Sequence, residues 1–183
     1  MEDRTRRILE TAITLAERDG YEAVRLRDVA AQAEVALGTV YRRFKSKEDI
    51  LVAALELEVE RMGAYLQSHP IEGDDPVTRT SNAFAAMTGA LVDKPHLARA
   101  LLRAVASGVP EIAQKVAQFH ATTTQFFTAF LFDLDIPSSE KERIASFLQD
   151  IWFAKLVGWS GGLQTKESVL QDMAEATQRL LRS

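Results

Sequence analysis

VALGTVYRRFKSKEDIL, residues 35–51, predicts a short helix, a tight break and the capped start of a second helix. Small or hydroxyl-bearing residues, Gly38 and Thr39, come just before a basic run that contains no acidic residue. A helix that enters the DNA major groove needs this chemistry, because small residues let the backbone approach while longer side chains reach base edges and phosphates. The basic residues of the stretch are Arg42, Arg43, Lys45 and Lys47.

The charge of the chain is unevenly distributed. The 183 residues carry a formal net charge of -4, with 46% hydrophobic and 26% charged residues, which is ordinary for a globular protein. Residues 1–50 contain 10 basic and 10 acidic residues, whereas the remainder contains 12 and 16. A neutral N-terminal part with a local basic cluster, followed by an acidic remainder, suits a protein that touches nucleic acid at one end only.

Several classes of protein are disfavoured by what the sequence lacks. It contains no cysteine, which excludes disulfides, thiolate metal sites and a cysteine nucleophile. It contains no secretory signal and no apolar run near the roughly 20 residues of a membrane span. The three histidines lack metal-ligand spacing, and no catalytic triad or glycine-rich phosphate loop is present. We therefore expect a cytoplasmic protein that does not act on membranes, needs no metal or cofactor, and is not an enzyme.

The apolar residues recur at helical spacing, and strand-like alternation is absent. The sequence therefore predicts an all-α fold of nine helices, with the seventh extending over residues 110–134. The boundary signals are Gly20 after helix one, Ser46 before helix four, Asp75-Pro76 before helix five, Asp93 before helix six, a Ser139…Glu142 capping box before helix eight, Gly161-Gly162 after it, and Thr165 before helix nine.

Helices two and three, joined by residues 34–36, have the spacing of a helix-turn-helix. The same spacing also fits two short core helices with a solvated basic face. Residues 20–51, GYEAVRLRDVAAQAEVALGTVYRRFKSKEDIL, resemble the DNA-binding domain of TetR-family transcriptional regulators nearly end to end. The resemblance implies a helix-turn-helix domain over residues 1–46 and a ligand-binding and dimerisation domain over residues 47–183.

The resemblance also implies which residues contact double-stranded DNA. Helix three would be the recognition helix, with Thr39, Arg42 and Leu37 at base edges and Gly38 allowing close approach. Tyr41, Lys47 and Arg27 would bind phosphates. Two residues depart from the family pattern: Arg25 replaces the usual capping threonine of helix two, and Glu34 replaces the usual glycine of the turn.

An effector site is implied in the C-terminal region. Its helices are rich in phenylalanine and flexible apolar residues, which fits either plain core packing or an apolar pocket with a few polar groups. TetR-like proteins hold a small effector between helices four and eight, so the resemblance favours a lipophilic ligand here. The candidate lining residues are Tyr65, Phe84, Met87, Phe119, Thr123, Phe126, Phe127, Phe130 and Trp152.

The last two helices are the predicted dimer interface. Each has an apolar face that plain intramolecular burial would also explain, but the resembling family dimerises through these helices. A homodimer also follows from function, because a two-fold dimer reads both halves of a palindromic operator. The candidate interface residues are Leu148, Ile151, Trp159, Val169, Met173 and Leu180.

The resemblance therefore implies a ligand-responsive regulator, most simply a repressor released from a palindromic operator by a small lipophilic effector. Three segments, GYEAVRLR, AEVALGTVYRRF and DIWFAKLVGW, are similar to those of repressors of steroid catabolism within the family. This similarity implies a bulky sterol-derived acid or its CoA thioester, and fatty-acyl compounds are the other ligand class. The alternative function is a helical lipophilic-ligand-binding protein that has no operator.

Overall fold

The computed structural model describes residues 3–182, which form nine α-helices and no strand. This confirms the predicted all-α fold. The helices are α1 Asp3–Asp19, α2 Leu26–Gln32, α3 Leu37–Arg43, α4 Lys47–Ser68, α5 Pro76–Val92, α6 Pro95–Val105, α7 Ala113–Thr128, α8 Ser138–Ser160 and α9 Lys166–Leu181. Three single 3₁₀ turns cover Tyr21–Ala23, Pro110–Ile112 and Ala129–Leu131. None of the helices among the described residues combines the length and the hydropathy that a membrane span requires.

Most predicted helix boundaries have the geometry that their residues favour. Gly20 follows α1 with a φ of 78°, a left-handed conformation that glycine adopts without steric cost. Asp75 accepts hydrogen bonds from the amides of Val77 at 2.9 Å and Thr78 at 3.1 Å. The hydroxyl of Thr165 accepts from an amide of the first turn of α9 at 3.2 Å, and Ser46 caps α4 in the same way at 3.2 Å.

Three predicted boundaries are wrong. Asp93 is the last cap of α5 rather than the first of α6, because Pro95 takes the first helical position and leaves Lys94 as N-cap. The capping box before α8 is absent, since the N-cap is Pro137, two residues before Ser139, and it makes no side-chain capping hydrogen bond. The seventh helix is shorter than predicted, because 3₁₀ turns replace the α-helical hydrogen bonds at both of its ends.

The chain divides into two compact units. The first comprises the described residues up to Arg61 together with Lys94–Phe119. Its core contains the apolar face of α1 and the inner faces of α2, α3, α4 and α6, all of which bury their aliphatic side chains. The fully or nearly fully buried residues include Ile8, Leu9, Ala12, Leu15, Val29, Val40, Ile50, Leu51, Leu57, Leu97 and Leu101.

The second unit comprises Met62–Asp93 and the described residues from His120 onward. Helix α9 packs against α5 and α8, and the core between them combines aromatic and aliphatic side chains with a few buried hydroxyl and amide groups. Its buried residues include Thr80, Phe84, Met87, Thr88, Phe127, Leu131, Leu148, Trp152, Leu156, Val169, Met173 and Thr177. Helices α4 and α7 each contribute residues to both units.

Candidate nucleic-acid interface and aromatic cluster

The turn between α2 and α3 is tight. The amide of Val35 donates to the carbonyl of Ala30 at 3.0 Å, and the amide of Glu34 donates to the carbonyl of Ala31 at 3.3 Å. Glu34 adopts a φ of 54°, and is the one non-glycine with positive φ among the described residues. The usual glycine at this position would avoid the steric cost of that conformation. The turn therefore has this geometry although glutamate is unfavourable in the left-handed conformation.

Helix α3 is held by its inner face and presents the other face to solvent. Val40 and Phe44 are buried, whereas Leu37 and Tyr41 are 42% and 52% exposed. Apart from its chain neighbours and the backbone of its own helix, no atom lies within 4 Å of the place where a side chain at Gly38 would begin, so this glycine is not required by packing within the chain. The remaining candidates on or beside this face are Thr39, which is half-buried, and Arg27 and Arg42, which are exposed.

Arg25 opens α2 without making a side-chain capping hydrogen bond. It lines a shallow groove with Val24, Leu26, Arg27, Tyr41 and Lys47. A second groove, lined by Asp3, Arg4, Thr39, Arg42 and Arg43, lies between the start of α1 and α3. Sequence reasoning missed Arg4 because its position beside α3 depends on tertiary packing. The basic N-terminal run that contains Arg4 was the available signal.

Lys47 is engaged by side chains of its own chain. Its ammonium lies 2.8 Å from the Glu22 carboxylate and 4.1 Å from the centre of the Tyr21 ring. The bond to Lys47 lowers the pKa of Glu22 below its ordinary value. Burial, together with the hydrogen bond that Tyr21 donates to Glu48, raises the pKa of Tyr21 to about 12. The predicted phosphate contact is thus already paired with an acid.

A buried carboxylate stands at the start of α4. Asp49 is only 3% exposed; it accepts from the amide of Lys45 at 2.8 Å and pairs with Lys115 of α7. The Lys115 ammonium is also 5.6 Å from the centre of the Phe44 ring. These contacts tie the end of α3 and the start of α4 to the first part of α7, all within the first unit.

Five of the nine effector-site candidates form a continuous aromatic cluster in the second unit. The rings of Phe84 and Phe127 stack at 4.2 Å, and each lies 5.7 Å from Trp152 in an edge-to-face arrangement. Phe126 contacts both Phe127 and Phe130. Aromatic pairs of this geometry bury a large apolar area and favour fixed ring orientations. The structure therefore brings these predicted residues together.

Polar groups border the aromatic cluster. The indole N–H of Trp152 donates to the hydroxyl of Thr88 at 2.8 Å, and Thr124 donates to the buried amide of Gln149 at 2.7 Å. Sequence reasoning did not select Thr88, Thr124 or Gln149. Their helical spacing from the predicted residues was the available signal, since Thr88 follows Phe84 by four positions on one face of α5.

The other four candidates have different surroundings. Met87 and Thr123 are buried in the second unit. Tyr65 is 56% exposed and stacks on His69 near the end of α4, with ring centres 4.2 Å apart. Phe119 belongs to the first unit. Tyr65 therefore does not join the aromatic cluster in this conformation.

The predicted interface residues lie mainly inside the chain. Leu148, Val169 and Met173 are at most 1% exposed and Trp159 is 9% exposed, so packing of α9 within the second unit already covers them. Ile151 and Leu180 are half-buried. The exposed large apolar side chains at this part of the chain are instead Phe147 at 50%, Val157 at 39% and Leu163 at 85%.

Family models match both the N-terminal and the C-terminal part of the sequence. Residues 8–54 match the family model for bacterial regulatory proteins of the tetR family, and residues 73–181 match that for the tetracyclin repressor-like C-terminal domain. The chain belongs to the TetR family. It is therefore a transcriptional regulator with a helix-turn-helix DNA-binding domain, and the predicted family is confirmed.

Individual members of the family resemble the chain over most of its length. It is 34% identical over 172 residues to the HTH-type transcriptional repressor KstR of Rhodococcus jostii strain RHA1, covering 94% of this chain and 78% of that one. A TetR transcriptional regulator from Rhodococcus sp. RHA1 superposes with a TM-score of 0.87 at 25% identity, covering 97% and 95% of the two chains. FadR of Thermus thermophilus, solved in complex with lauroyl-CoA, superposes with a TM-score of 0.71 at 18% identity, covering 97% of this chain and 93% of that one.

Proposed function

We propose that this TetR-family regulator is a homodimeric repressor that binds a palindromic operator and is released by a small lipophilic effector. The observation that carries the proposal is the pairing of an exposed recognition helix in one unit with an aromatic cluster in the other whose members are buried or half-buried. The KstR relative is a transcriptional repressor by name. We assign residues 1–46 to DNA binding and residues 47–183 to effector binding and dimerisation.

The proposed operator contacts are divided by role. Thr39, Arg42 and Leu37 read base edges, whereas Tyr41, Lys47 and Arg27 bind phosphates and Gly38 allows the close approach of α3. This division follows the general rule that phosphate contacts position a protein and base contacts specify its site. Replacing Tyr41 by Ala or Lys47 by Met then weakens binding to all duplexes, while changes at Thr39 or Arg42 alter sequence preference.

The proposed effector is a sterol-derived or fatty-acyl carboxylic acid or its CoA thioester. The aromatic cluster and the buried Met87 supply apolar surface, while Thr88, Thr123 and Gln149 supply polar groups that can orient one end of a ligand. The similarity of three segments to steroid-catabolism repressors favours the sterol class. The lauroyl-CoA complex of the Thermus thermophilus regulator supports the acyl class.

The proposed release mechanism is a shift between conformations of the dimer. A dimer reads two half-sites about 34–36 Å apart, so a conformer with a different separation of its two α3 helices loses operator affinity. An effector that binds better to this second conformer shifts the population toward it. Helix α4, which contributes residues to both units, is the continuous backbone link for the change.

Selection of bound duplexes from a random DNA library tests the operator. We expect an enriched palindrome whose affinity falls steeply with salt, because phosphate contacts release counterions. Weak binding without sequence preference would contradict the proposal and would leave a helical ligand-binding protein without an operator. The effector is then tested by adding lauric acid, a sterol-derived carboxylic acid, or the CoA thioester of either acid to the complex, with free CoA as control. Release by none of these four compounds would contradict the assigned ligand classes.

A further inference from the structure

Glu22 binds two cations at once. One carboxylate oxygen lies 2.8 Å from the ammonium of Lys47, and the other lies 3.0 Å from the guanidinium of Arg103. Its side chain is 68% exposed, so the carboxylate stands at the surface rather than in the core. Lys47 and Arg103 therefore share one acid, and each bond weakens the hold of the carboxylate on the other cation.

The ring of Tyr21 keeps the two cations beside each other. The Lys47 ammonium lies 4.1 Å from the ring centre and the Arg103 guanidinium carbon lies 3.9 Å from it, both within cation–π distance. The hydroxyl of the same ring donates to the Glu48 carboxylate, which fixes the ring against the start of α4. The cluster of Tyr21, Glu22, Lys47 and Arg103 is thus a built arrangement and not a chance surface pair.

Arg103 comes from a distant part of the sequence. It lies in the last turn of α6, whose buried side chains, including Leu97 and Leu101, anchor the helix in the first unit. It also falls within residues 73–181, which match the family's C-terminal domain. Through Arg103, a residue of the C-terminal sequence region contacts the acid that neutralises Lys47.

A carboxylate and a phosphate compete for the same ammonium. Lys47 can bind a DNA phosphate fully only when its bond to Glu22 is loosened, since both anions require its charge and its N–H donors. Arg103 offers Glu22 an alternative cation with a planar guanidinium suited to carboxylates. The position of Arg103 therefore influences how readily the Lys47 ammonium can leave Glu22 and bind a DNA phosphate.

We propose that Glu22 is an intramolecular competitor of the operator phosphate at Lys47, and that Arg103 is a positioning residue that draws Glu22 away from Lys47. This inference rests on the proposed function, because it requires Lys47 to bind operator DNA. A movement of α6 that withdraws Arg103 leaves Glu22 bonded to Lys47 alone, which strengthens that bond and lowers operator affinity. The cluster is thus a route by which the C-terminal sequence region regulates one phosphate contact.

The test is the operator affinity of full-length variants, measured by gel mobility shift on the selected palindrome across a salt series. We expect Glu22→Gln to tighten binding and Arg103→Met to weaken it, each by about two- to fivefold, the range that exposed ion pairs contribute. Arg103→Lys, which keeps the cation, remains near the parent value. Lys47→Met weakens binding, and it lowers the slope of log affinity against log salt concentration by the amount that one lost phosphate contact accounts for, about 1.

Double variants separate the proposal from a general charge effect. The gain from Glu22→Gln disappears in the Lys47→Met background, and the loss from Arg103→Met disappears in the Glu22→Gln background. If either effect persists unchanged, the acid and the arginine act on DNA through overall charge or direct contact, and the proposal is wrong. Failure of the parent protein to bind any selected duplex would instead overturn the proposed function. Thermal melting of each variant verifies that it is folded.

Discussion

At the scale of single residues, Glu34 is strained by its backbone conformation. Its φ of 54° is one that side chains with a Cβ adopt at a cost of about 1 kcal/mol or more. Its side chain is exposed, so removing it exposes no core. The turn between α2 and α3 is therefore a position where glycine is better suited than the residue present.

We expect Glu34→Gly to raise the free energy of unfolding by up to about 1 kcal/mol, because relief of the strain exceeds the added freedom of the unfolded chain. Chemical denaturation followed by circular dichroism measures the change. Ala31→Gly, in the adjoining α2, is the matched control and lowers stability, since glycine is unfavourable within a helix. Equal losses in both variants would show that the turn is not strained.

Glu56 of α4 is a second residue in unfavourable surroundings, which disfavour the charged form of its carboxyl group. Partial burial raises the pKa of its carboxyl, and the nearby Lys115 only partly offsets this effect. A raised pKa in the folded chain means that the carboxylate form is the less favourable one. The protonated form of Glu56 therefore contributes stability that is fully present below the ordinary pKa of 4.5. This contribution is lost as pH rises through the raised pKa of the folded protein.

We therefore expect Glu56→Gln to melt at a higher temperature than the parent protein at pH 7 and at the same temperature near pH 4. Melting curves at the two pH values measure this difference. The exposed Glu142 of α8 is the control, because it is not among the groups that shift the pKa of Glu56, and its Gln variant should change stability by less than about 0.5 kcal/mol. A lower melting temperature for Glu56→Gln at pH 7 would show that the charge is stabilising.

At the scale of elements, some helix boundaries could be predicted from the sequence and others could not. Side-chain caps at Asp75 and Thr165 were predictable because the capping residue and its amide partners are three or fewer positions apart. The start of α6 was not, since Asp93 and Lys94 both precede Pro95 and local preference alone favoured the acid. The 3₁₀ ends of α7 depend on tertiary packing, which a periodic apolar pattern does not encode.

The cap of α5 carries a testable pH dependence. Hydrogen bonds from the Thr78 hydroxyl and from the first amides of the helix hold the pKa of Asp75 below its ordinary value. Its contribution to stability is therefore present above the ordinary pKa of 3.8 and is lost as pH falls through the folded value. We expect Asp75→Ala to lower the melting temperature at pH 7 by a few degrees.

The isosteric change Asp75→Asn provides the control for that experiment. Asparagine also caps helices well, so this variant should retain most of the parent stability at pH 7. It should also lose the part of the acid dependence that comes from the carboxyl group. If Asn destabilises the protein as much as Ala does, the charge on Asp75 matters more than its hydrogen bonds.

At the scale of the whole molecule, the fold class and the helix-turn-helix were predictable because both follow from periodicity and from a long local motif. The pairing of Lys47 with Glu22 was not, since it joins residues 25 positions apart. The proposed dimer surface shows the same limit. Leu148 and Val169 look like interface residues from their apolar faces, but α9 and α8 bury them within one chain.

The exposed side chain of Phe147 is the better probe of the proposed homodimer. It is 50% exposed on α8 and lies one turn from the half-buried Ile151 on the same helix face. We expect Phe147→Glu to shift the protein from dimer to monomer in sedimentation experiments and to weaken operator binding at least tenfold, because one half-site alone supplies too few contacts.

Phe132 is the matched control for the dimer experiment. It is 69% exposed, lies outside α8 and α9, and stacks on the guanidinium of Arg79 at 4.7 Å. Phe132→Glu makes the same chemical change at a comparable surface position and should leave the assembly state unchanged. A dimer that survives Phe147→Glu would place the interface elsewhere on the chain.

The two tryptophans give the molecule an intrinsic optical reporter. Both lie on α8, and Trp152 places its indole edge-to-face against both Phe84 and Phe127 while donating to Thr88. A ligand that displaces these rings or competes for the Thr88 hydroxyl alters the emission of Trp152 directly. A Trp159→Phe variant isolates that emission, so effectors can be screened by fluorescence on unlabelled protein, without DNA and before any operator is known.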